Sequence, residues 1–179
     1  MQHKGTTTIQ TERLLLRQFR LDDAEDIYQN YGSDSKVHKF ISWITCDTRE
    51  KVQQFLNMHL KKYDDDLEFY GWAIVLNSEV IGSIGLYNVN NDNQSTEIGY
   101  SLGSKWWGQG LVTEAAHAVV DYAFDIGFHR VFATCHEDNI GSKRVLEKIG
   151  MNYEGKLIDG QKNRDNTFSN LDMYAIVNK

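Results

Sequence analysis

The period of the hydrophobic positions changes several times along the chain, and each change marks an element. Residues 12–19 form a short apolar-rich run that predicts a strand. Ala24, Ile27, Tyr28 and Tyr31 then fall three or four apart, the spacing of one helical face. Asp22 is the expected N-cap of that helix and Gly32 its stop. Val52, Phe55, Leu56, His59, Leu60 and Tyr63 repeat the spacing behind a capping-box-like Asp47 and Glu50. A lone histidine on such a face is expected to pack rather than react, so His59 is read as structural. The charge run 61–68 predicts a solvated helix end and loop.

The middle of the chain alternates instead. Residues 70–76 and 80–89 read as strands joined by a short loop at Asn77-Ser78-Glu79, and 96–102 as a third strand after the polar stretch 90–95. Alternation places Ile98, Tyr100 and Leu102 on one face and Glu97, Gly99 and Ser101 on the other. Helical spacing returns with Val112, Ala115, Ala116, Val119, Val120, Ala123 and Phe124, closed by Gly127. Residues 130–136 predict a strand. The stretch 139–150 predicts a helix capped by Asn139, with Ile140, Val145, Leu146 and Ile149 as its apolar face and Gly150 as its stop. Residues 151–157 and 171–177 predict a last strand pair across a polar loop. Strand, two helices, strands, helix, strand, helix, strands is the order of one mixed α/β (α+β) domain, not of a repeating βαβ array. The domain is expected over 9–179, after a frayed, flexible lead-in at 1–8.

Composition narrows the function. The 179 residues carry 25 acidic and 19 basic side chains, a formal net charge of −6, against the basic balance expected of a general nucleic-acid binder. No apolar run is long enough for a membrane span, and the first ten residues lack the apolar core of a signal peptide. Cys46 and Cys135 stand far apart without metal spacing, which predicts two free thiols in a reducing cytoplasm and no metal. No Ser-His-Asp arrangement can be argued from the order of the residues.

One loop stands apart from these elements. Gly108 and Gly110 lie between the third middle strand and the helix that follows. The first amides of a helix have no internal acceptor and carry partial positive charge, so a glycine-rich turn there can cradle an anion. Residues 105–113 are therefore a candidate phosphate or pyrophosphate site. A Walker loop would require lysine where Gln109 stands. A dinucleotide fingerprint would require glycine or alanine where Thr113 stands.

Lys105-Trp-Trp-Gly108-Gln-Gly110 resembles the [QR]-x-x-G-x-[GA] signature of the GNAT acetyltransferase superfamily, with lysine at its first position. Residues 12–28, 97–102, 106–115 and 139–151 resemble, in turn, that family's opening strand and helix, its fourth strand, its cofactor loop and an asparagine-serine helix. The last two are similar to the branch containing the ribosomal-protein N-terminal acetyltransferases. The resemblance covers 12–177. It implies a GNAT-like fold, a central, mostly antiparallel twisted sheet flanked by about four helices. It also implies acetyl-CoA as co-substrate, held at Leu102, Lys105, Trp107, Gly108, Gln109, Gly110, Leu111, Val112, Thr113, Asn139 and Ser142.

Direct transfer of an acetyl group from a thioester requires a neutral amine, a base for its proton and help for the departing thiolate. Glu97 is the first candidate base, alone or through a water; paired with a lysine it would be an ordinary strand carboxylate. Ser142 stands where the branch places a serine proposed to protonate the thiolate, or is a first-turn helix serine. Asn139 by resemblance bonds the pantetheine arm, caps its helix, or does both. His136 is held in reserve as an acid–base group, and Cys135 reads as a small buried hydrophobe. Lys143 and Arg144 are either phosphate contacts or solvated. Trp106 and Trp107 either cover a sheet edge or touch substrate or cofactor. The expected acceptor is a protein N-terminal α-amine of the ribosomal-protein type. The alternatives are a small amine (polyamine, amino acid or aminoglycoside) and a non-catalytic coenzyme A-binding module. Segments 28–45 and 158–170 are expected to shape the acceptor pocket. The sequence leaves the oligomeric state open, a homodimer included.

Overall fold

The computed structural model describes residues 1–40 and 46–179. Its strands are β1 (Ile9–Gln10), β2 (Leu15–Arg17), β3 (Tyr70–Leu76), β4 (Glu79–Asn90), β5 (Ser95–Leu102), β6 (Arg130–His136), β7 (Asn152–Lys162) and β8 (Phe168–Val177). They form one sheet in the order β1-β2-β3-β4-β5-β6-β8-β7. Every neighbouring pair is antiparallel except β5 and β6. That parallel pair is the one joined by a helix, α3 (Leu111–Asp125), as a parallel crossover requires. The other helices are α1 (Ala24–Ile27), α2 (Arg49–Asp65) and α4 (Ile140–Lys148).

The sheet separates two apolar layers. Trp72, Ile74, Ile98, Val131, Ala133 and Cys135 point toward α3 and α4 and pack with Ala116, Val119 and Leu146. Their strand neighbours Ala73, Val75 and Val80 point the other way, onto Ile27, Val52 and Leu56 of α1 and α2. Asn77 and Ser78 both take positive φ, 49° and 71°, the geometry that suits a two-residue hairpin between β3 and β4.

Several expected boundaries move, each for a visible reason. The run 12–19 contributes only β2. Thr11 and Leu14 bond each other through backbone and hydroxyl, folding a turn that also creates β1. Asp22 is not the cap of the first helix: Asp23 accepts the Arg20 amide and pairs with Arg17, and the segment runs as a 3-10 turn, α1 and a π turn ending at Gly32. The cap of α2 is Thr48, which accepts from the Lys51 amide, while Asp47 holds the Lys51 ammonium. Ile140, expected on the apolar face of α4, is exposed because it is the helix's first residue. β7 and β8 run further than expected, since Asn163 and Thr167 close the tight turn between them. His59 is buried among Phe19, Phe55 and Phe69. The N-terminal residues carry defined contacts: His3 with Tyr70, Thr6 with Phe69 and Gly71, and the Thr7 carbonyl with the Trp72 indole.

Candidate active site

Parallel pairing of β5 and β6 runs from Ser95–Arg130 to Glu97–Phe132 and then stops, although both strands continue. A fork opens there. The Gly103 amide donates to Ile81 on β4, so alternation turns the peptide groups of Tyr100 and Leu102 toward the fork. The Leu102 carbonyl accepts from Trp107 Nε1 at 2.8 Å.

Glu97 stands at the root of the fork on the α1/α2 side. Its Oε1 accepts from the Thr134 hydroxyl at 2.7 Å and its Oε2 from the Asn88 amide at 2.7 Å. A carboxylate has about four acceptor positions, so each oxygen keeps one lone pair for a substrate proton. No lysine is paired with it among the described residues. Asn88 reaches Glu97 from an irregularity in β4, where its φ is 50°. Such a bulge re-aims a side chain. Tyr87, the cross-strand neighbour of Glu97, lies over Gly85 and Gly99 with its ring half exposed and its hydroxyl enclosed, burial pushing that hydroxyl up to about 12. His136 follows Thr134 on the same face of β6, its ring tilted against Phe40 at 5.0 Å between centroids, with Nδ1 accepting the Asp138 amide.

Ser142 lies on the opposite face. Asn139 caps α4 by accepting the Ser142 amide at 3.1 Å, which fixes the serine in the first turn. The Ser142 hydroxyl lies 2.9 Å from the Tyr100 hydroxyl. Cys135 is buried beside them, and burial pushes its thiol up to about 11. Lys143 is committed to the buried carboxylate of Asp172, whose hydrogen bond raises the ammonium pKa, so its charge faces inward. Arg144 is exposed.

The glycine loop lies at the open end. Gly108 and Gly110 both have φ of 76°, and Gly110 is the left-handed N-cap of α3. Among the described residues, nothing stands within 4 Å of where a Gly108 side chain would start. The first bond of α3 runs from the Glu114 amide to the Gly110 carbonyl. The amides of Leu111, Val112 and Thr113 precede it and have no helical acceptor. Leu111 and Val112 pack their side chains into the core and have only backbone to offer a ligand. Thr113 lines a shallow depression of about 520 Å³ beside Gly110 and His117. Lys105 lies over the Trp106 ring at 4.8 Å, and Gln109 is exposed. The tryptophan pair divides: Trp106 is buried in the core, and Trp107 is half exposed at the fork.

The sequence reading missed the brace behind this loop. Arg13 donates through Nε to Glu114 and through a terminal nitrogen to the Gln109 carbonyl, while Thr11 also donates to Glu114. Burial pushes the Glu114 carboxyl up, but these hydrogen bonds outweigh it and hold the group below the usual range. It also missed Asn88, Thr134 and the Tyr100 side chain. The alternation that assigned Glu97 to a face also places Thr134 and Tyr100. Asn88 carries only the weak signal that asparagine tolerates left-handed backbone. Among the described residues no His, Cys, Asp and Glu side chains gather as a metal site, and no helix is long and apolar enough to cross a membrane.

An acetyltransferase (GNAT) domain model matches residues 13–152. The chain belongs to the GNAT acetyltransferase family. Within it, the N-acetyltransferase YnaD of Bacillus subtilis is 37% identical over 150 residues, 82% of this chain and 84% of that protein. A GNAT-family acetyltransferase from Bacillus anthracis has a solved structure that superposes with a TM-score of 0.83 at 32% identity, over 96% of this chain and 98% of that one. The ribosomal-protein-serine acetyltransferase of Escherichia coli is 29% identical over 132 residues, 73% of this chain and 70% of that protein. This GNAT enzyme is thus an N-acetyltransferase.

Proposed function

We propose that this GNAT enzyme transfers the acetyl group of acetyl-CoA directly to a primary amine in a ternary complex, and that the preferred acceptor is a protein N-terminal α-amine. The observation that carries the reading is the fork itself, with a hydrogen-bonded carboxylate on one face of the sheet and a hydroxyl pair on the other. Likeness to the ribosomal-protein-serine acetyltransferase supports the acceptor class.

The residues fit the donor. Gly108, Gly110 and the amides of Leu111, Val112 and Thr113 form an anion cradle for its pyrophosphate, with Lys105 and Gln109 at the loop's edge. The peptide groups of Leu102 and the side chains of Trp107, Asn139 and Ser142 border the path of its pantetheine arm. Acetyl-CoA supplies an activated acyl carbon and a thiolate leaving group. Glu97, held by Asn88 and Thr134, takes the proton that the amine must lose, directly or through one water. Ser142 offers its hydroxyl to the departing sulfur. Holding both substrates in one cleft supplies the proximity that such a transfer depends on. Residues 41–45, part of the expected acceptor segment 28–45, lie outside the described residues.

Thiol release from acetyl-CoA with a panel of N-terminal peptides and small amines tests this reading. Turnover that favours peptides supports it. Turnover confined to small amines overturns the acceptor, and tight coenzyme A binding without turnover overturns catalysis.

A further inference from the structure

We infer that Tyr100 is a positioning residue that donates its hydroxyl hydrogen to Ser142 Oγ, so that Ser142 stabilises the departing sulfur as a hydrogen-bonded thiolate rather than by giving it a proton. The inference rests on the reading above that Ser142 faces that sulfur.

The geometry is specific. The Tyr100 hydroxyl lies 2.9 Å from Ser142 Oγ and 3.4 Å from the Ser142 carbonyl. Asn139 holds the Ser142 amide from the other side, so the serine is fixed at both ends. Two hydroxyls in contact have one hydrogen between them and one to spare. A phenol is the better donor and an alcohol the better acceptor. Tyr100 therefore donates inward, and the remaining Ser142 hydrogen, which the neighbouring Cys135 sulfur can also accept, is the one offered to the departing sulfur. The reverse arrangement would leave the Tyr100 hydrogen only the 3.4 Å carbonyl contact, which is too long for a good O–H···O bond.

Acidity then decides the role. In the transfer, the amine nitrogen bonds the acetyl carbon, the carbon–sulfur bond breaks and sulfur leaves with the electron pair. The proton lost by nitrogen goes to Glu97 and on to solvent. A thiol has a pKa near 8.5, and an alcohol is a far weaker acid. Proton transfer from Ser142 to sulfur is uphill unless Tyr100 replaces that proton. Burial pushes the Tyr100 hydroxyl above its ordinary 10, which opposes a tyrosinate. The pair consequently keeps its protons and acts as a donor chain whose members polarise each other. The thiolate takes its proton from water after departure.

The test uses coenzyme A itself bound to the full-length protein. Its thiol is titrated by thiolate ultraviolet absorbance in wild type, Tyr100→Phe, Ser142→Ala and the double variant. Calorimetry checks that each variant still binds coenzyme A. The bound thiol should titrate below its free value in wild type and rise by roughly 0.5–1 unit in either single variant. The double variant should show no further rise, because Tyr100 acts through Ser142. In acetyl transfer, Tyr100→Phe should lower kcat roughly 3- to 10-fold at every pH, with KM for acetyl-CoA within about twofold. An unshifted thiol, or a Tyr100→Phe effect that persists undiminished on the Ser142→Ala background, overturns the inference. So does loss of an alkaline limb in the pH profile, the mark of a proton relay. A thiol pKa that depends on Tyr100 in a protein that acetylates no amine would leave the inference standing and remove the function proposed above.

Discussion

Glu97 shows how much environment a single carboxylate needs. Alone on a strand it would be one more surface acid. The bulge at Asn88 and the hydroxyl of Thr134 fix both of its oxygens while leaving each a lone pair. Glu97→Gln keeps the shape and removes the base, so kcat should fall roughly 10²–10⁴-fold and the acidic limb of the pH–rate profile should change. Steady-state kinetics over pH checks it, and an unchanged profile would exclude Glu97 as base. The glutamate and its face were legible in the sequence, because strand alternation is local. Its donors were not: one arrives from a backbone irregularity and the other from a strand 37 positions away.

Among the elements, the glycine loop that we propose for coenzyme A is braced by residues far from it in the sequence. Arg13 and Thr11 clamp Glu114, the acid in the first turn of α3, and Arg13 also clamps the Gln109 carbonyl. Removing Arg13 should loosen the loop more than the fold. Arg13→Ala is expected to weaken coenzyme A binding several-fold in calorimetry while costing no more than about 1 kcal/mol of stability in denaturant titration, as for other half-exposed ion pairs. Gly108 makes a sharper case. The space around it is open, so the cost of a side chain is conformational: at φ of 76° an alanine costs about 1–2 kcal/mol. Gly108→Ala should lower coenzyme A affinity about tenfold if the loop relaxes to avoid that strain, and Gly108→Asn less, since asparagine tolerates the conformation. The glycines could be read from sequence because the need for them is local. The brace between residues 11–13 and 109–114 could not, because only the fold brings β1 and β2 beside the start of α3.

For the whole molecule, the sheet separates two layers with different tasks. The α3/α4 layer carries the glycine loop and Ser142, and the α1/α2 layer carries the buried His59 and faces the side of Glu97. His59 is pushed down from 6.5 to about 4 by burial, partly offset by its bond to the Phe55 carbonyl. The unfolded chain therefore takes up a proton near pH 6.5 that the folded chain refuses until about pH 4. Stability from this group is complete above 6.5 and is lost as pH falls between those values, on the order of 3 kcal/mol in all. Chemical denaturation at pH 7 and pH 5 should show the loss, and His59→Phe should shrink it. Periodicity gave the order of elements, and resemblance to a known signature gave the family motif, since both are written in runs of adjacent residues. Periodicity did not give β1, the caps at Asp23 and Thr48, or the extended β7–β8 hairpin, which depend on hydrogen bonds between particular side chains and backbone. Intact-mass analysis of the acceptors decides the reaction. The protein is incubated with acetyl-CoA and a mixture of N-terminal peptides and small amines. A gain of one acetyl group on peptide α-amines, lost in Glu97→Gln, is the expected result; acetylation of small amines alone, or of nothing, would contradict it.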